Sequence, residues 1–252
     1  MFDIHCHMLP AVDDGADSTE TACAMARAAA ADGVRAVILT PHCSVPGAQF
    51  HLLPEQILDR TAQLQAELFA RDIRLDVLPG AEVLATPDFP SLFARGEYLT
   101  LNRSRYFLVE FAFEEDPAFT IYIVETIASA GLIPVIAHPE RYYFVHRAPD
   151  LVQNWRRLGA LLQINKGSLS GLFGEDARYT ATRLLTGRRA SLVASDAHGL
   201  NRRTPILSHC QKAVEKLCGT AYSKELFVRM PARILDDLPP DFRRPPAKEK
   251  AT

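Results

Sequence analysis

The chain has 252 residues, 48% of them hydrophobic and 23% charged, with a formal net charge of −2. That length can bury a barrel-sized core, and one such domain fits as well as two smaller ones. The balanced charge gives no bulk attraction to nucleic acid or to a membrane surface, no segment approaches the roughly 18 continuous apolar residues of a membrane span, and no basic-then-apolar leader opens the chain, so secretion and membrane insertion are not expected.

In chain order, Phe2–His5 reads as a short buried strand. Ser18 can cap a helix running to about Asp32, stopped by Gly33, with Ala22, Met25, Ala26 and Ala29 on its packing face. Arg35–Leu39 is a second strand, apolar on both faces, ending in Thr40-Pro41-His42. Pro54 to about Arg71 has helical periodicity. Ile73–Leu78 is a third strand, ending in Pro79-Gly80-Ala81-Glu82, and a short helix follows near Ser91–Ala94. Tyr106–Val109 is a fourth strand, ending in Glu110; a helix covers Phe119–Ala130. Ile133–Ala137 is a fifth strand, ending in His138-Pro139-Glu140-Arg141. A helix over Asp150–Leu158 leads to a sixth strand, Leu161–Ile164, ending in Asn165. A helix over Ala177–Leu185 leads to a seventh, Ala190–Ala194, ending in Ser195-Asp196-Ala197-His198. Helices near Pro205–Leu217 and Lys224–Met230 close a domain of residues 1–238, and the proline-rich, charged residues 239–252 read as a disordered tail.

Seven strands alternating with helices predict a parallel α/β fold, with a closed barrel preferred over a doubly wound sheet because polar residues follow every strand rather than one switch point. The loops after the strands of such a barrel share one face. That face would receive His5, His7, Asp14, His42, Glu82, Glu110, His138, Asn165, Asp196 and His198, with Asp13 offering a further oxygen. His5 and His7, like Asp196 and His198, are two residues apart and so project from the same side of an extended chain. Singly, each residue has an ordinary explanation as a salt-bridge partner or a loop histidine. Together, five imidazoles and four carboxylates need a cation to share a site. Mixed nitrogen and oxygen donors suit manganese, iron or zinc, and nine of them suit two or three ions.

Arg141, three residues past His138, is placed to bind a phosphate oxygen pair, and Arg202 and Arg203 are weaker candidates. Tyr142, Tyr143 and Phe144 are equally suited to a slot for an aromatic leaving group or to the core. Thiol-based phosphoester chemistry is excluded. It needs an arginine six positions after the cysteine, and the residues there are Val12, Ala29, Gln49, Lys216 and Lys224. Five cysteines without a paired framework suit a reducing cytoplasm. His51, His146 and His209 lie off the strand ends and read as ordinary.

The motifs Asp-Ile-His-Cys-His (3–7), Asp-Asp-Gly (13–15), Thr-Pro-His (40–42), Gly-Ala-Glu (80–82), Val-Glu-Phe (109–111), Ala-His-Pro-Glu-Arg-Tyr (137–142), Gln-Ile-Asn-Lys-Gly-Ser-Leu (163–169) and Ser-Asp-Ala-His (195–198) resemble the PHP (polymerase and histidinol phosphatase) superfamily, in order from Met1 to about His198. More narrowly, the fifth and sixth-strand runs are similar to the bacterial capsular and exopolysaccharide protein-tyrosine phosphatases. The resemblance implies a distorted seven-stranded TIM-like barrel with a trinuclear site. His5, His7, Glu82 and Asp196 would hold one ion, most simply manganese. Glu82 would bridge to a second with Glu110 and His138, and Asp14, His42 and His198 would hold the third. Arg141 would take the phosphate, and Arg141 and His198 are the expected catalytic side chains. The implied substrate is the phosphotyrosine tail of a tyrosine autokinase that controls polysaccharide export. Cys43 stands where the family often has a second histidine, and the loop Ser44–Leu53, with Pro46 and Gly47, departs from its pattern; both bear on the substrate mouth.

Three other readings compete. A small-molecule phosphatase of the histidinol-phosphate type is disfavoured by the Glu-Arg-Tyr and Gln-Ile-Asn runs. A nuclease or polymerase-editing domain is disfavoured by the net charge. A catalytically silent binding protein is disfavoured by the complete set of ligand-type residues.

Overall fold

The computed structural model describes residues 1–45 and 52–241. Pro46, Gly47 and His51 and the tail from residue 242 lie outside them. The strands are β1 (Phe2–Cys6), β2 (Ala36–Leu39), β3 (His42–Cys43), β4 (Asp76–Pro79), β5 (Glu82–Leu84), β6 (Tyr106–Glu110), β7 (Ile133–Ala137), β8 (Leu161–Asn165) and β9 (Leu192–Ala194). They form two parallel sheets, β1-β2-β4 and β3-β5-β6-β7-β8-β9.

The two sheets are one circuit with gaps. β3 continues the line of β2 after Thr40-Pro41, and β5 continues β4 after Gly80-Ala81. The registers Leu39 with Pro79 and His42 with Glu82 stay in step across the breaks. Proline has no N–H for a ladder, so the gap falls beside Pro41 and Pro79. Gly80 is required at the second break, because a Cβ there would lie 2.7 Å from the Ile38 side chain. A bridge between Cys6 and Ala197 returns the circuit from β9 to β1. The order around it is the order of the seven expected strands, two of them interrupted, which is the distorted barrel.

The interior changes character along the strands. Tyr106 and Leu108 of β6, Val135 and Ala137 of β7, Leu161 of β8, and Leu192 and Ala194 of β9 form one apolar cluster with Ile4 and Ile38, closed by Met230 and Ile234 of the helix Met230–Leu235. By the two-residue alternation of strands, the next positions on those faces are Glu110, Gln163, Asn165 and Asp196. Phe107, Val109, Ile136, Leu162, Ile164 and Val193 face the outer helices instead.

Ser18 caps the helix Thr19–Ala31 by accepting from the Thr21 amide, and Gly33 follows it with φ of 85°. Five regions differ from expectation. The helix expected from Pro205 starts at Ser208, where the Asp32 carboxylate accepts from the amides of Leu207 and Ser208 at 2.7 and 2.8 Å and fixes the start. The run expected over Asp150–Leu158 is a 3-10 turn, Pro149–Leu151, joined to a helix, Val152–Arg157. The Lys224–Met230 helix belongs to a longer helical run that passes through a π turn, Glu225–Arg229, just before Pro231 removes a helical donor. Short helices Tyr143–Arg147 and Lys166–Leu169 were not anticipated. Among the described residues, no helix is long and apolar enough to cross a membrane.

Candidate metal centre

The expected ring residues converge where the strands end. β1 delivers His5 and His7, and Gly15 brings the following loop back against them. A Cβ on Gly15 would sit 2.0 Å from the His7 carbonyl oxygen, so only glycine permits this approach. His138 and Asp196 leave β7 and β9 in left-handed backbone with φ of 31° and 51°. Non-glycine residues resist that region, at a cost of about 1–3 kcal/mol each. Here the turn directs both side chains into the barrel mouth.

Glu82 stands at the middle. Its Oε2 lies 3.2 Å from Nε2 of His5, 3.2 Å from Nε2 of His7 and 3.0 Å from Nδ1 of His42, while Oε1 lies 3.1 Å from Nε2 of His138. Glu110 sits 3.4 Å from His138 and 4.0 Å from His42. Asp196 Oδ1 is 3.5 and 3.4 Å from the Nε2 atoms of His5 and His7. Asp14 joins His42 at 3.5 Å and His198 at 3.2 Å. Three sets of donor atoms are each compact enough to hold an ion: His5, His7 and Asp196; His42, Glu82 and Glu110; and His7, Asp14, His42 and His198.

The donor set fits divalent ions on its own chemistry. Nδ1 of His5 meets the Gln163 oxygen at 3.0 Å, and Nδ1 of His7 meets Asp13 at 2.8 Å. With those Nδ1 atoms donating, both Nε2 atoms present lone pairs, and they face each other at 3.2 Å beside two carboxylates. Glu82 Oε2, His42 Nδ1 and His198 Nε2 are buried without hydrogen bonds. Acceptors gathered this way require a cation between them.

The chain resembles known proteins over nearly its full length. The family described as "Capsular polysaccharide synthesis, CpsB/CapC" matches residues 1–236. The chain belongs to the CpsB/CapC family. The Bacillus subtilis tyrosine-protein phosphatase YwqE is 37% identical over 85% of this chain and 82% of its own. The Streptococcus pneumoniae tyrosine-protein phosphatase CpsB is 32% identical over 94% and 99%. A solved structure from a study of YwqE and CpsB, described as unique metal-dependent tyrosine phosphatases, matches with a TM-score of 0.90 at 35% identity over 98% of both chains. A histidinol phosphate phosphatase from Lactococcus lactis shares the fold, with a TM-score of 0.55 at 15% identity over 86% of this chain and 93% of that one.

In this CpsB/CapC chain, the carboxylates of the ring favour protons on the imidazoles between them. Burial opposes charge on His42, but Glu82 and Asp14 outweigh it and push its pKa up to about 10. His138 rises to about 9 against the same burial penalty, through Glu110 and Glu82. His7 is raised well above the usual imidazole value by Asp13, Asp196 and Glu82 despite complete burial. Glu82 and Asp196 are buried, yet the surrounding imidazoles hold both below the usual carboxylate range, with Arg203 helping at Asp196. Divalent ions would displace these protons.

Around the ring, Arg141 lies 3.8 Å from Asp196, with its guanidinium between Phe113 (4.6 Å) and Phe173 (4.3 Å). Arg203 is closer to Asp196, at 2.5 Å from Oδ1. Its carbonyl accepts from the amides of His198 and Gly199, so the loop folds back and brings it to the ring. Arg202 stands exposed beside it, on a cavity of about 320 Å³ that Arg203 and Asn165 also line. Tyr142 is core: its hydroxyl donates to the Ala137 carbonyl and accepts from the Phe111 amide. Phe144 packs on Trp155, and Tyr143 is partly exposed. His146 reaches the Glu140 carbonyl at 2.7 Å and His209 is exposed, both away from the ring.

Cys6 points to the Ala197 carbonyl, away from His5 and His7, and burial pushes the Cys43 and Cys210 thiols up to about 12. Neither of those two suits a thiolate nucleophile. Sequence reasoning offered Asp13 as an oxygen donor and missed two partners. Asp13 faces outward, accepting from His7 Nδ1, the His42 amide (3.1 Å) and the Gly15 amide (2.9 Å). Gln163 accepts from His5 and from the His138 amide (3.3 Å). Glu140 accepts from the Asn165 amide (2.8 Å) and the Ser168 hydroxyl (2.7 Å), and Asn165 in turn donates to Asp196. A polar residue inside the apolar run Leu-Leu-Gln-Ile-Asn was the signal available for Gln163.

Proposed function

We propose that this chain is a metal-dependent protein-tyrosine phosphatase whose substrate is the phosphotyrosine tail of a tyrosine autokinase serving capsule or exopolysaccharide export, in the cytoplasm. The observation that carries the reading is Glu82, a buried carboxylate within 3.2 Å of four imidazoles, with one oxygen accepting no hydrogen bond. His5, His7, Glu82 and Asp196 would hold one ion, Glu82, Glu110 and His138 a second, and Asp14, His42 and His198 a third. Manganese is our choice among manganese, iron and zinc. Ions held by these residues would supply Lewis acidity toward phosphoryl oxygens and would activate water near neutral pH.

The chain's own side chains do the rest. Arg141 and Arg203 bind the phosphoryl oxygens from the open side, and Arg202 contributes at most at long range. Phe113 and Phe173 hold the Arg141 guanidinium flat, so the orientation entropy of a bidentate contact is settled before substrate arrives. Gln163 and Asp13 fix the two β1 imidazoles with Nε2 inward. The phenolate leaving group has a parent pKa of about 10 and needs little protonation. His198, whose pKa is lowered by burial and by His7, stays neutral at the rim beside Asp14.

The test is elemental analysis of the purified protein alongside turnover of a phosphotyrosine peptide, a phosphoserine peptide and histidinol phosphate. The expected result is two or three divalent ions per chain and a strong preference for the phosphotyrosine peptide. At most one ion under metal-replete conditions would defeat the trinuclear assignment, and preference for histidinol phosphate would defeat the substrate.

A further inference from the structure

A pocket of about 750 Å³ opens directly beside the ring. Its lining joins Asp13, Asp14, His42 and Glu110 to the apolar side chains of Val12, Val45, Leu84 and Phe113. The pocket therefore offers hydrocarbon contact immediately next to ligand-type side chains. Phe113 belongs to both halves, since it lines the pocket while its ring supports the Arg141 guanidinium. A phosphoryl group held by Arg141 at the ring would extend its leaving group along Phe113 and into this pocket.

The geometry points to an aryl-recognition subsite: the Val12, Val45, Leu84 and Phe113 walls take the aromatic ring of phosphotyrosine and select it over alkyl phosphates. This deepens the phosphatase reading and rests on it. The physical argument is reach. An aromatic ring separates the phosphoryl group from the peptide backbone, so the ring alone meets the hydrocarbon walls and gains from leaving water. In phosphoserine the backbone lies next to the phosphate. Its N–H and C=O groups would be drawn against the hydrocarbon of Val12, Val45, Leu84 and Phe113 and lose water there. The volume also exceeds one ring, leaving room for the residues flanking the tyrosine. Tyr142 and Phe144 do not line this pocket: Tyr142 is buried in the core and Phe144 packs against it.

The test separates ring recognition from phosphate recognition. Calorimetry on the metal-loaded protein would compare benzylphosphonate with methylphosphonate, neither of which turns over. Benzylphosphonate should bind about tenfold or more tightly. Leu84→Gln, which puts an amide on the wall, and Val45→Trp, which fills the space, should each bring that ratio toward one. Methylphosphonate affinity and metal content should stay the same. Equal affinity for the two phosphonates in the wild type, or an unchanged ratio in both variants, overturns the subsite. If the ratio behaves as expected but the wild type hydrolyses no aryl phosphate, the phosphatase reading falls while the aryl site stands.

Discussion

The two ends of the barrel interior are made by the same strands and obey opposite rules. At one end Ile4, Ile38, Leu108, Val135 and Leu192 meet Met230 and Ile234, all fully or almost fully buried hydrocarbon. At the other, one to four residues further along the same strands, His5, Glu110, His138 and Asp196 crowd together with orphaned donors and acceptors and left-handed turns. The apolar end lowers its free energy by excluding water. The polar end is poor in stability when metal-free, since like groups are buried side by side and depend on protons to stay together. Stability and chemistry are thus divided along each strand rather than between strands, and substitutions at the two ends should fail in different ways.

The largest effect is expected at the polar end. Asp196→Ala and His138→Ala should each lower kcat/KM by about three orders of magnitude or more, while the circular dichroism of the protein hardly changes, because metal ligation and not packing is lost. Near wild-type activity in either variant would remove that residue from the centre. Chelation should abolish turnover as well, and it exposes the proton dependence of the empty ring. His42 and His138 have pKa values raised to about 10 and about 9, so their stabilisation is complete below the unfolded value of about 6.5 and is lost as pH rises through those values. Glu82 and Asp196 are depressed, so theirs is present above the ordinary carboxylate range of about 4 and is lost on acidification. The chelated protein should be most stable between about pH 4.5 and 6.5, measured by denaturant titration. A stability that climbs steadily from pH 6.5 to 9 would contradict the proton-held ring.

The apolar end should give the converse. Leu108→Ala removes a fully buried side chain and should cost about 2–5 kcal/mol of stability. The folded fraction should keep its specific activity, since the strand's other end is unchanged. A large drop in kcat at a temperature where the variant is fully folded would mean the two ends are coupled. Arg141 belongs to the polar end but holds no ion in the assignment, so its loss should be smaller. Arg141→Ala should lower kcat/KM by about one to two orders of magnitude with metal content unchanged. Arg141→Lys should recover part of it, because an ammonium cannot bind two oxygens in one plane. The loss should be alike for a small aryl phosphate and a phosphotyrosine peptide. A loss confined to the peptide would mean that Arg141 reads the protein partner instead.

The apolar end was easier to read than the polar one. Strands such as Ala36–Leu39 and Ile133–Ala137 are buried on both faces, so their residues form continuous apolar runs that end where a ligand-type residue begins. Their number and order could be read for that reason. The two short continuations, His42–Cys43 and Glu82–Leu84, could not, since two or three residues carry no periodicity and each follows a proline that reads as a stop. Pro231 reads as a stop after Met230, whereas the helical run takes it up in a π turn, Glu225–Arg229, and continues to Leu235. In the site, residue type and spacing brought the ring residues together, but spacing says nothing of which way a loop carboxylate turns. Asp13 and Asp14 are neighbours of the same type. Asp14 reaches His42 and His198, while Asp13 turns to the far nitrogen of His7. Arg202 and Arg203 present the same difficulty, resolved by the backbone hydrogen bonds that return Arg203 to the ring.

That distinction within Asp13-Asp14 carries the smallest prediction. Asp13 accepts from His7 Nδ1, from the His42 amide and from the Gly15 amide, so it holds one ring imidazole and two backbone points at once. Its charge favours a proton on Nδ1 and makes Nε2 the better donor toward an ion. Asp13→Asn keeps an oxygen for His7 and the size of the side chain, but removes the charge and turns an N–H toward a backbone donor. Metal affinity, titrated with a competing chelator, should weaken by about tenfold, the low end for such outer partners. At saturating metal, kcat should stay within a few-fold of wild type, because no group that touches substrate has changed. Asp14→Asn alters a residue inside the ring and should lower kcat even when metal is saturating. Equal behaviour of the two variants would mean that both carboxylates face the ions. Unchanged metal affinity in Asp13→Asn would reduce Asp13 to a tie for the loop that Gly15 closes.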